Sequence, residues 1–254
     1  MFNALKVRLS QGSQYIPDLR DVTLVGFRGR PVIGEPPCEA GCQACRDVCP
    51  TAAIAGPEPR LDLGRCVFCN ECVLACPDQK LHFGPDYRMA SGTLDGLVVG
   101  PGKAEASPVA VSEALHRRFG RSLKLRSVSA GGCNGCELEL NAVGNVNFDL
   151  GRYGIEFVAS PRHADALVLS GPLTRNMNQA LETGYAGIPE PKFIIAVGAC
   201  AISGGLYADA PSVDRSFATR FTPSLYVPGC PPHPLTFVNG IMDLLGIRPP
   251  RGGA

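Results

Sequence analysis

Twelve cysteines are the residues through which this 254-residue chain can do chemistry, and eight of them fall between Cys38 and Cys76. The run Cys66-x2-Cys69-x2-Cys72-x3-Cys76-Pro77 has the bacterial spacing for paired 4Fe-4S clusters. Three thiolates this close together wrap one face of a cubane while backbone amides turn toward its sulfides, and the fourth reaches a second cluster. An earlier run, Cys38-x3-Cys42-x2-Cys45-x3-Cys49-Pro50, differs by one extra residue after Cys38. Cys42, Cys45, Cys49 and Pro50 recur 27 residues later as Cys69, Cys72, Cys76 and Pro77, with Ile54 matched by Leu81. A duplicated unit with pseudo-two-fold symmetry is expected. Cross-ligation then assigns Cys38, Cys42, Cys45 and Cys76 to one cluster and Cys66, Cys69, Cys72 and Cys49 to the other. Paired zinc sites also use C-x2-C, but rarely with a third cysteine two residues on and then x3-Cys-Pro. Disulfides are disfavoured in a chain of this size in a reducing compartment.

The other four cysteines lie apart: Cys133 and Cys136 in Gly-Gly-Cys-Asn-Gly-Cys, Cys200 in Val-Gly-Ala-Cys, and Cys230 in Pro-Gly-Cys-Pro-Pro. Each follows the end of a different apolar run of strand length, so one parallel sheet would gather all four at its carboxyl edge. Gly132, Gly135, Gly198 and Gly229 flank them and would let backbone approach a cubane closely. A third 4Fe-4S cluster is the leading reading. A zinc site or a set of buried structural cysteines stays open on spacing alone.

The elements that must hold these sulfurs can be read coarsely. Residues 1–35 are irregular and mildly basic, suiting a docking arm or a plain surface extension. Residues 36–84 form the two-cluster ferredoxin-like unit. Residues 85–120 shift to Gly, Pro and small side chains, which suits an extended linker, and end in a short helix. That helix would be capped by Ser107 and Pro108, carry Val111, Leu115 and Phe119 on one face and stop at Gly120. Residues 121–254 alternate strands over 123–128, 166–169, 193–197 and 225–227 with helices over 138–146, 178–185 and 235–245. The expected fold is therefore α/β, an N-terminal two-cluster ferredoxin fold followed by a flavodoxin-like parallel-sheet domain.

Composition narrows the function. With 24 basic and 23 acidic residues there is no field to attract nucleic acid or an anionic surface. Neither a G-x-x-x-x-G-K-S/T loop nor a convincing G-x-G-x-x-G motif is present, so nucleotide binding is unsupported. No window of about 18 unbroken apolar residues is available to span a bilayer. Met1 to Pro17 lacks an export pattern, so a cytoplasmic location is expected, with any membrane attachment made through partners.

The strings Gly131-Gly-Cys133-Asn-Gly-Cys136-Glu-Leu-Glu139, Gly198-Ala-Cys200-Ala-Ile-Ser-Gly-Gly205 and Pro228-Gly-Cys230-Pro-Pro resemble the small subunit of nickel-iron hydrogenases. The resemblance is to the energy-converting, complex-I-like branch, including the formate hydrogenlyase type. Residues from Phe27 to Leu81 resemble that branch's separate two-cluster ferredoxin subunit, here fused. The related terminal-cluster subunit of complex I has adjacent cysteines, whereas this chain has Cys133-x2-Cys136. Gly171 to Met177 resembles a loop found near the terminal cluster in both relatives.

The resemblance implies an oxidoreductase electron-transfer subunit with no catalytic residues of its own. It implies three 4Fe-4S clusters, a nickel-iron large subunit as partner, further hydrophilic and membrane subunits, and a redox donor or acceptor protein. The cluster on Cys133, Cys136, Cys200 and Cys230 would lie proximal to the partner's metal centre. Glu139, at the family's glutamate position, is a candidate for proton relay or cluster tuning, with a favourable helix-start charge as the plain alternative. His233 is a candidate for hydrogen bonding near the cluster, with a surface or packing role as its alternative. Arg175 is a candidate positive charge beside the third cluster, with an ordinary salt bridge as its alternative. Two other readings remain: the terminal-cluster subunit of a complex-I-like quinone oxidoreductase, and a freestanding ferredoxin-type carrier.

Overall fold

The computed structural model describes residues 2–12, 15–35, 38–39, 41–102, 109–110, 112–120 and 122–247. It opens with an exposed helix α1 (Phe2–Gln11). The segment after it is fastened to the chain's own sheet domain. Ile16 N–H donates to the Asn147 carbonyl at 2.9 Å, and Arg20 pairs with Asp243 at 2.6 Å and donates to the Ile247 carbonyl. Leu19 is fully buried, and its carbonyl accepts from both the Tyr87 hydroxyl and the Asn239 amide. The arm thus docks internally from Tyr15 onward.

The cysteine-rich region is built twice. It comprises β1 (Pro31–Ile33), α2 (Ala44–Asp47), β2 (Ile54–Ala55), β3 (Arg60–Asp62), α3 (Glu71–Leu74) and β4 (Leu81–Phe83). β1 pairs antiparallel with β4, and β2 antiparallel with β3. The sequence repeat recurs in the backbone. Ala52 and Gln79, each three residues after the last cysteine of its run, both adopt a left-handed φ, 47° and 50°. The Cys-Pro turn after each run is closed the same way, by N–H donation to the cysteine carbonyl at 3.2 Å from Ala52 and from Gln79. The N-terminal half is therefore ferredoxin-like.

The stretch read as an extended linker is instead packed. Tyr87, Met89, Ser91, Leu97 and Val99 are buried. Ser91 bridges to Tyr226 through two backbone hydrogen bonds, and β5 (Val98–Val99) adds a third strand beside β3. Its glycines and proline mark tight turns, but the apolar residues between them are driven into the core by the area they bury. Leu61, Leu63 and Leu97 share one hydrophobic cluster with Leu169, Ile202 and Tyr226. The two halves of the chain are joined by that core. Further along, Ser107, Pro108 and Val111 lie outside the described residues. The helix they were expected to open is α4 (Glu113–Phe119), capped by the Ser112 hydroxyl on Leu115 N–H and ended by Gly120.

The second half continues with β6 (Leu123–Ser129), α5 (Gly135–Ala142), β7 (Ile155–Phe157), β8 (Ala166–Ser170) and α6 (Asn178–Ala186). It ends with β9 (Phe193–Val197), α7 (Ala199–Ser203), α8 (Ser216–Arg220), β10 (Leu225–Val227) and α9 (Pro234–Leu244). All five strands are parallel, in the order β10-β9-β8-β6-β7. Read from β7, that is the flavodoxin-like order, with β6 and β8 at the switch point. β8 and β9 are buried at every position, as a sheet covered on both faces requires. β7, a three-residue edge strand with two exposed side chains, lacks the apolar run that revealed the others.

Candidate metal centres

In the duplicated region two small cavities are each lined by four cysteines. One is lined by Cys38, Cys42, Cys45 and Cys76 with Pro57, Pro59 and Pro77. The other is lined by Cys49, Cys66, Cys69 and Cys72 with Ile54, Leu61 and Phe83. Cys76 and Cys49 each cross to the cavity of the other run. The swap follows from the x3-Cys-Pro step, which carries the last thiol of each run beyond its own short helix, α2 or α3, toward the pseudo-symmetric mate.

The local backbone shapes both sites. Phe68 and Asn70 take left-handed φ values of 56° and 80°, wrapping the chain between Cys66 and Cys72. Phe68 N–H donates to Cys66 Sγ at 3.3 Å, and Ala53 N–H to Cys49 Sγ at 3.2 Å. Burial pushes the Cys66 thiol up to about 12, with Cys72, Cys49 and Cys69 adding repulsion. Burial likewise lifts Cys45, which feels Cys38, Cys76 and Cys42. Cys72, raised to about 11 first by burial, then by Cys69 and Cys49, also feels Cys45 of the other cavity. The two sites are neighbours.

The third group forms at the carboxyl edge of the sheet. Cys133 and Cys136 follow β6, Cys200 follows β9 and Cys230 follows β10, while the loop after β8 lies between them without a cysteine. Cys136 sits in the first turn of α5, which begins three residues earlier than its apolar pattern announced. Gly198 (φ 88°) is needed at its place. A Cβ there would stand 2.6 Å from Cys136 Sγ and 3.5 Å from the Gly229 carbonyl. A Cβ on Gly135 would stand 3.6 Å from Cys133 Sγ and 3.7 Å from Pro231, next to Cys230. Burial drives the Cys136 thiol to about 12, followed by the charges of Glu137, Cys200, Cys230 and Cys133. Cys200 reaches about 11, again by burial first and then by Cys230 and Cys133.

Among the described residues, no three or more Cys, His, Asp or Glu side chains converge as they would on a single metal ion. All twelve cysteines are free thiols. In the two N-terminal sites the sulfurs stand around an apolar-walled volume instead, and amides point at two of them. Four soft donors around such a space fit a 4Fe-4S cubane in each. Thiols pushed this far up hold their protons until positive charge arrives, so loading would release protons.

The three non-cysteine candidates fall differently. His233 caps α9, its Nδ1 accepting from Leu235 N–H at 3.1 Å, and its ring packs against Phe27 and Phe148. Glu139 is half-buried on α5, and burial holds its carboxyl above the usual range. Arg175 is exposed after β8. Its charge adds a small contribution to the depression of Asp214, which Ser216 dominates through its N–H and hydroxyl.

Sequence reading missed two residues at the third site. Arg215 donates to three carbonyls of the Cys200 turn. Glu137 accepts from the Ser170 hydroxyl at 2.6 Å; burial pushes its carboxyl up, but hydrogen bonds from Ser129, Ser170 and its own backbone N–H pull it below the ordinary value. No spacing rule signals Arg215, because the loop between it and Cys200 has no repeat or motif.

A cysteine-edged parallel sheet is joined here to a ferredoxin-like half, and the relatives of this chain are subunits of oxidoreductase complexes. The family described as NADH ubiquinone oxidoreductase, 20 Kd subunit, matches residues 133–244. Over 128 residues the chain is 36% identical to "Probable membrane-bound hydrogenase subunit mbhJ" of Pyrococcus furiosus, covering 50% of this chain and 77% of that protein. It is 37% identical over 147 residues to formate hydrogenlyase subunit 7 of Escherichia coli, covering 58% of each. It is 45% identical over 109 residues to an NADH-quinone oxidoreductase subunit of Geotalea daltonii, covering 43% of this chain and 64% of that one. The match thus spans less than two thirds of the latter two relatives. This chain belongs to the NADH ubiquinone oxidoreductase 20 kDa subunit family.

Proposed function

We propose that this chain is the iron-sulfur electron-transfer subunit of a multisubunit, membrane-associated nickel-iron hydrogenase of the energy-converting or formate hydrogenlyase type. It would fuse a two-cluster ferredoxin-like part, residues 36–84, to a small-subunit part, residues 121–254. The observation that carries this reading is three groups of four thiols in series. Cys45 of the first acts electrostatically on Cys72 of the second, and the segment leading to Cys66 packs, at Gly64, against Ile202, two residues after Cys200. A 4Fe-4S cluster on each group would supply one-electron transfer at a potential set by charge, hydrogen bonding and burial.

The chain's own residues would ligate, space and shield. Cys38, Cys42, Cys45 and Cys76 hold the outer site, and Cys49, Cys66, Cys69 and Cys72 the middle one. Cys133, Cys136, Cys200 and Cys230 hold the site proximal to a catalytic partner. Leu138, 61% exposed on α5, and Leu206, 56% exposed beyond Cys200, flank that last site with apolar surface suited to a large subunit. Among the described residues no helix is long and apolar enough to cross a membrane, so attachment to the cytoplasmic membrane face would come through partner subunits.

A second reading, the terminal-cluster subunit of a complex-I-like quinone oxidoreductase, is favoured by the 45% identity to the Geotalea daltonii protein over 109 residues. The Cys133-x2-Cys136 spacing favours the hydrogenase. Metal analysis of the anaerobically purified complex decides: nickel stoichiometric with this chain supports the hydrogenase, and a nickel-free complex that reduces quinone rejects it.

A further inference from the structure

The turn that carries Cys200 is short. α7 has five residues; the Ala199 carbonyl accepts from the Ser203 hydroxyl and the Cys200 carbonyl from Gly204 N–H at 2.9 Å. Arg215 adds a second donor to Cys200 and reaches the carbonyls beyond it: Nη1 donates to the Cys200 carbonyl at 3.1 Å, and Nη2 to those of Ala201 and Ile202 at 2.9 and 2.7 Å. One planar fork thereby closes the negative end of the helix that presents the thiol.

Arg215 is itself held from behind. Asp214 N–H donates to the Leu173 carbonyl at 2.8 Å, Arg175 N–H to the Ser212 carbonyl at 2.8 Å, and the Asn178 amide to the Asp214 carboxylate at 2.7 Å. The loop after β8 therefore fixes the backbone of Arg215, and Arg215 fixes the turn of Cys200 and Ile202. Burial works against its charge and lowers its pKa from the ordinary value, an effect that negative charge at Cys200 opposes only in part. A guanidinium stays protonated throughout the physiological range, so this cation is permanent.

We propose that Arg215 is the positioning residue of the third cluster site: its hydrogen bonds hold the Cys200 turn in ligating geometry, and its positive charge beside that thiolate raises the potential of a cluster bound there. This rests on the reading of Cys133, Cys136, Cys200 and Cys230 as cluster ligands. Positive charge near a cluster favours its reduced, more negative state. Lysine would keep the charge and lose the fork.

The test is a redox titration of the full-length chain by electron paramagnetic resonance, with chelator-driven iron loss measured in parallel, for wild type, Arg215→Gln and Arg215→Lys. In Arg215→Gln the third midpoint should move negative while the other two stay, and third-site iron should leave about tenfold faster or more. In Arg215→Lys the midpoint should stay near wild type and the iron loss should still accelerate. A packing role alone would weaken the fold without moving one midpoint selectively. Unchanged midpoint and iron loss in Arg215→Gln, or three midpoints moving together, would overturn the proposal. Should Arg215→Gln fail to fold, Arg215→Lys decides by whether faster iron loss is confined to the third site. A wild-type chain with about eight irons and no third signal would remove the cluster reading itself, a result distinct from either variant's.

Discussion

Gly64 lies against Ile202 so closely that a Cβ on the glycine would stand 2.8 Å from the isoleucine's Cγ2. Gly64 is two residues before Cys66, and Ile202 two residues after Cys200. The contact therefore sets the segment leading to Cys66 against the turn that follows Cys200, across the two halves of the chain.

Substituting Gly64→Val should force Ile202 aside and cost about 1–3 kcal/mol of stability, as overpacking generally does. Denaturant unfolding measures this. The added Ile202→Ala should recover part of the loss, giving a coupling energy of about 0.5 kcal/mol or more in a double-mutant cycle. Additive effects would mean that the two residues do not touch.

Gly198→Ala should empty the third site alone. The new methyl would meet Cys136 Sγ at 2.6 Å, on a backbone whose φ of 88° alanine resists. Iron analysis should show a loss of about four atoms per chain, with the signals of the other two clusters retained. Full iron content in this variant would remove Cys136 from the ligand set.

The crossed fourth ligands give a sharper test. In Cys76→Ser, Cys38, Cys42 and Cys45 should become reactive to an alkylating reagent while Cys66, Cys69 and Cys72 stay protected. In Cys49→Ser the pattern should reverse. Mass spectrometry of the labelled peptides reads both, and labelling of each variant's own run would show that the thiols do not cross.

His233 predicts a pH dependence of stability. Burial holds its folded pKa below the ordinary 6.5. The unfolded chain then takes up a proton that the folded chain refuses, and protonation of Nδ1 would also break the cap on Leu235 N–H. Stability from this residue is complete above about pH 6.5 and declines as pH falls through it. The urea midpoint should drop between about pH 7.5 and about pH 5.5, and drop less in His233→Asn, which can cap without titrating. Equal drops in both chains would assign the acid sensitivity elsewhere.

The cysteine spacing made the two N-terminal groups legible from the chain alone, because ligands close in sequence can meet only in a few ways. Four of the five parallel strands were equally visible, since β8 and β9 in particular are unbroken apolar runs. What stayed hidden depended on distant partners. Leu19 reads as an ordinary residue of a basic arm until Tyr87 and Asn239 are seen to bond its carbonyl. Leu97 and Val99 sit among glycines and a proline, so local composition suggested a loose linker where the fold makes a shared core. Arg215 and Ile202 act on the third site through backbone carbonyls and packing, interactions that leave no spacing in the chain. The sequence pointed to Arg175 as the cation near that site, whereas the guanidinium beside Cys200 belongs to Arg215.

Iron and acid-labile sulfide per chain, measured on the full-length protein isolated without oxygen, test the central claim most directly. Three complete cubanes predict about twelve of each. About eight of each, with Cys133, Cys136, Cys200 and Cys230 all open to alkylation, would contradict it.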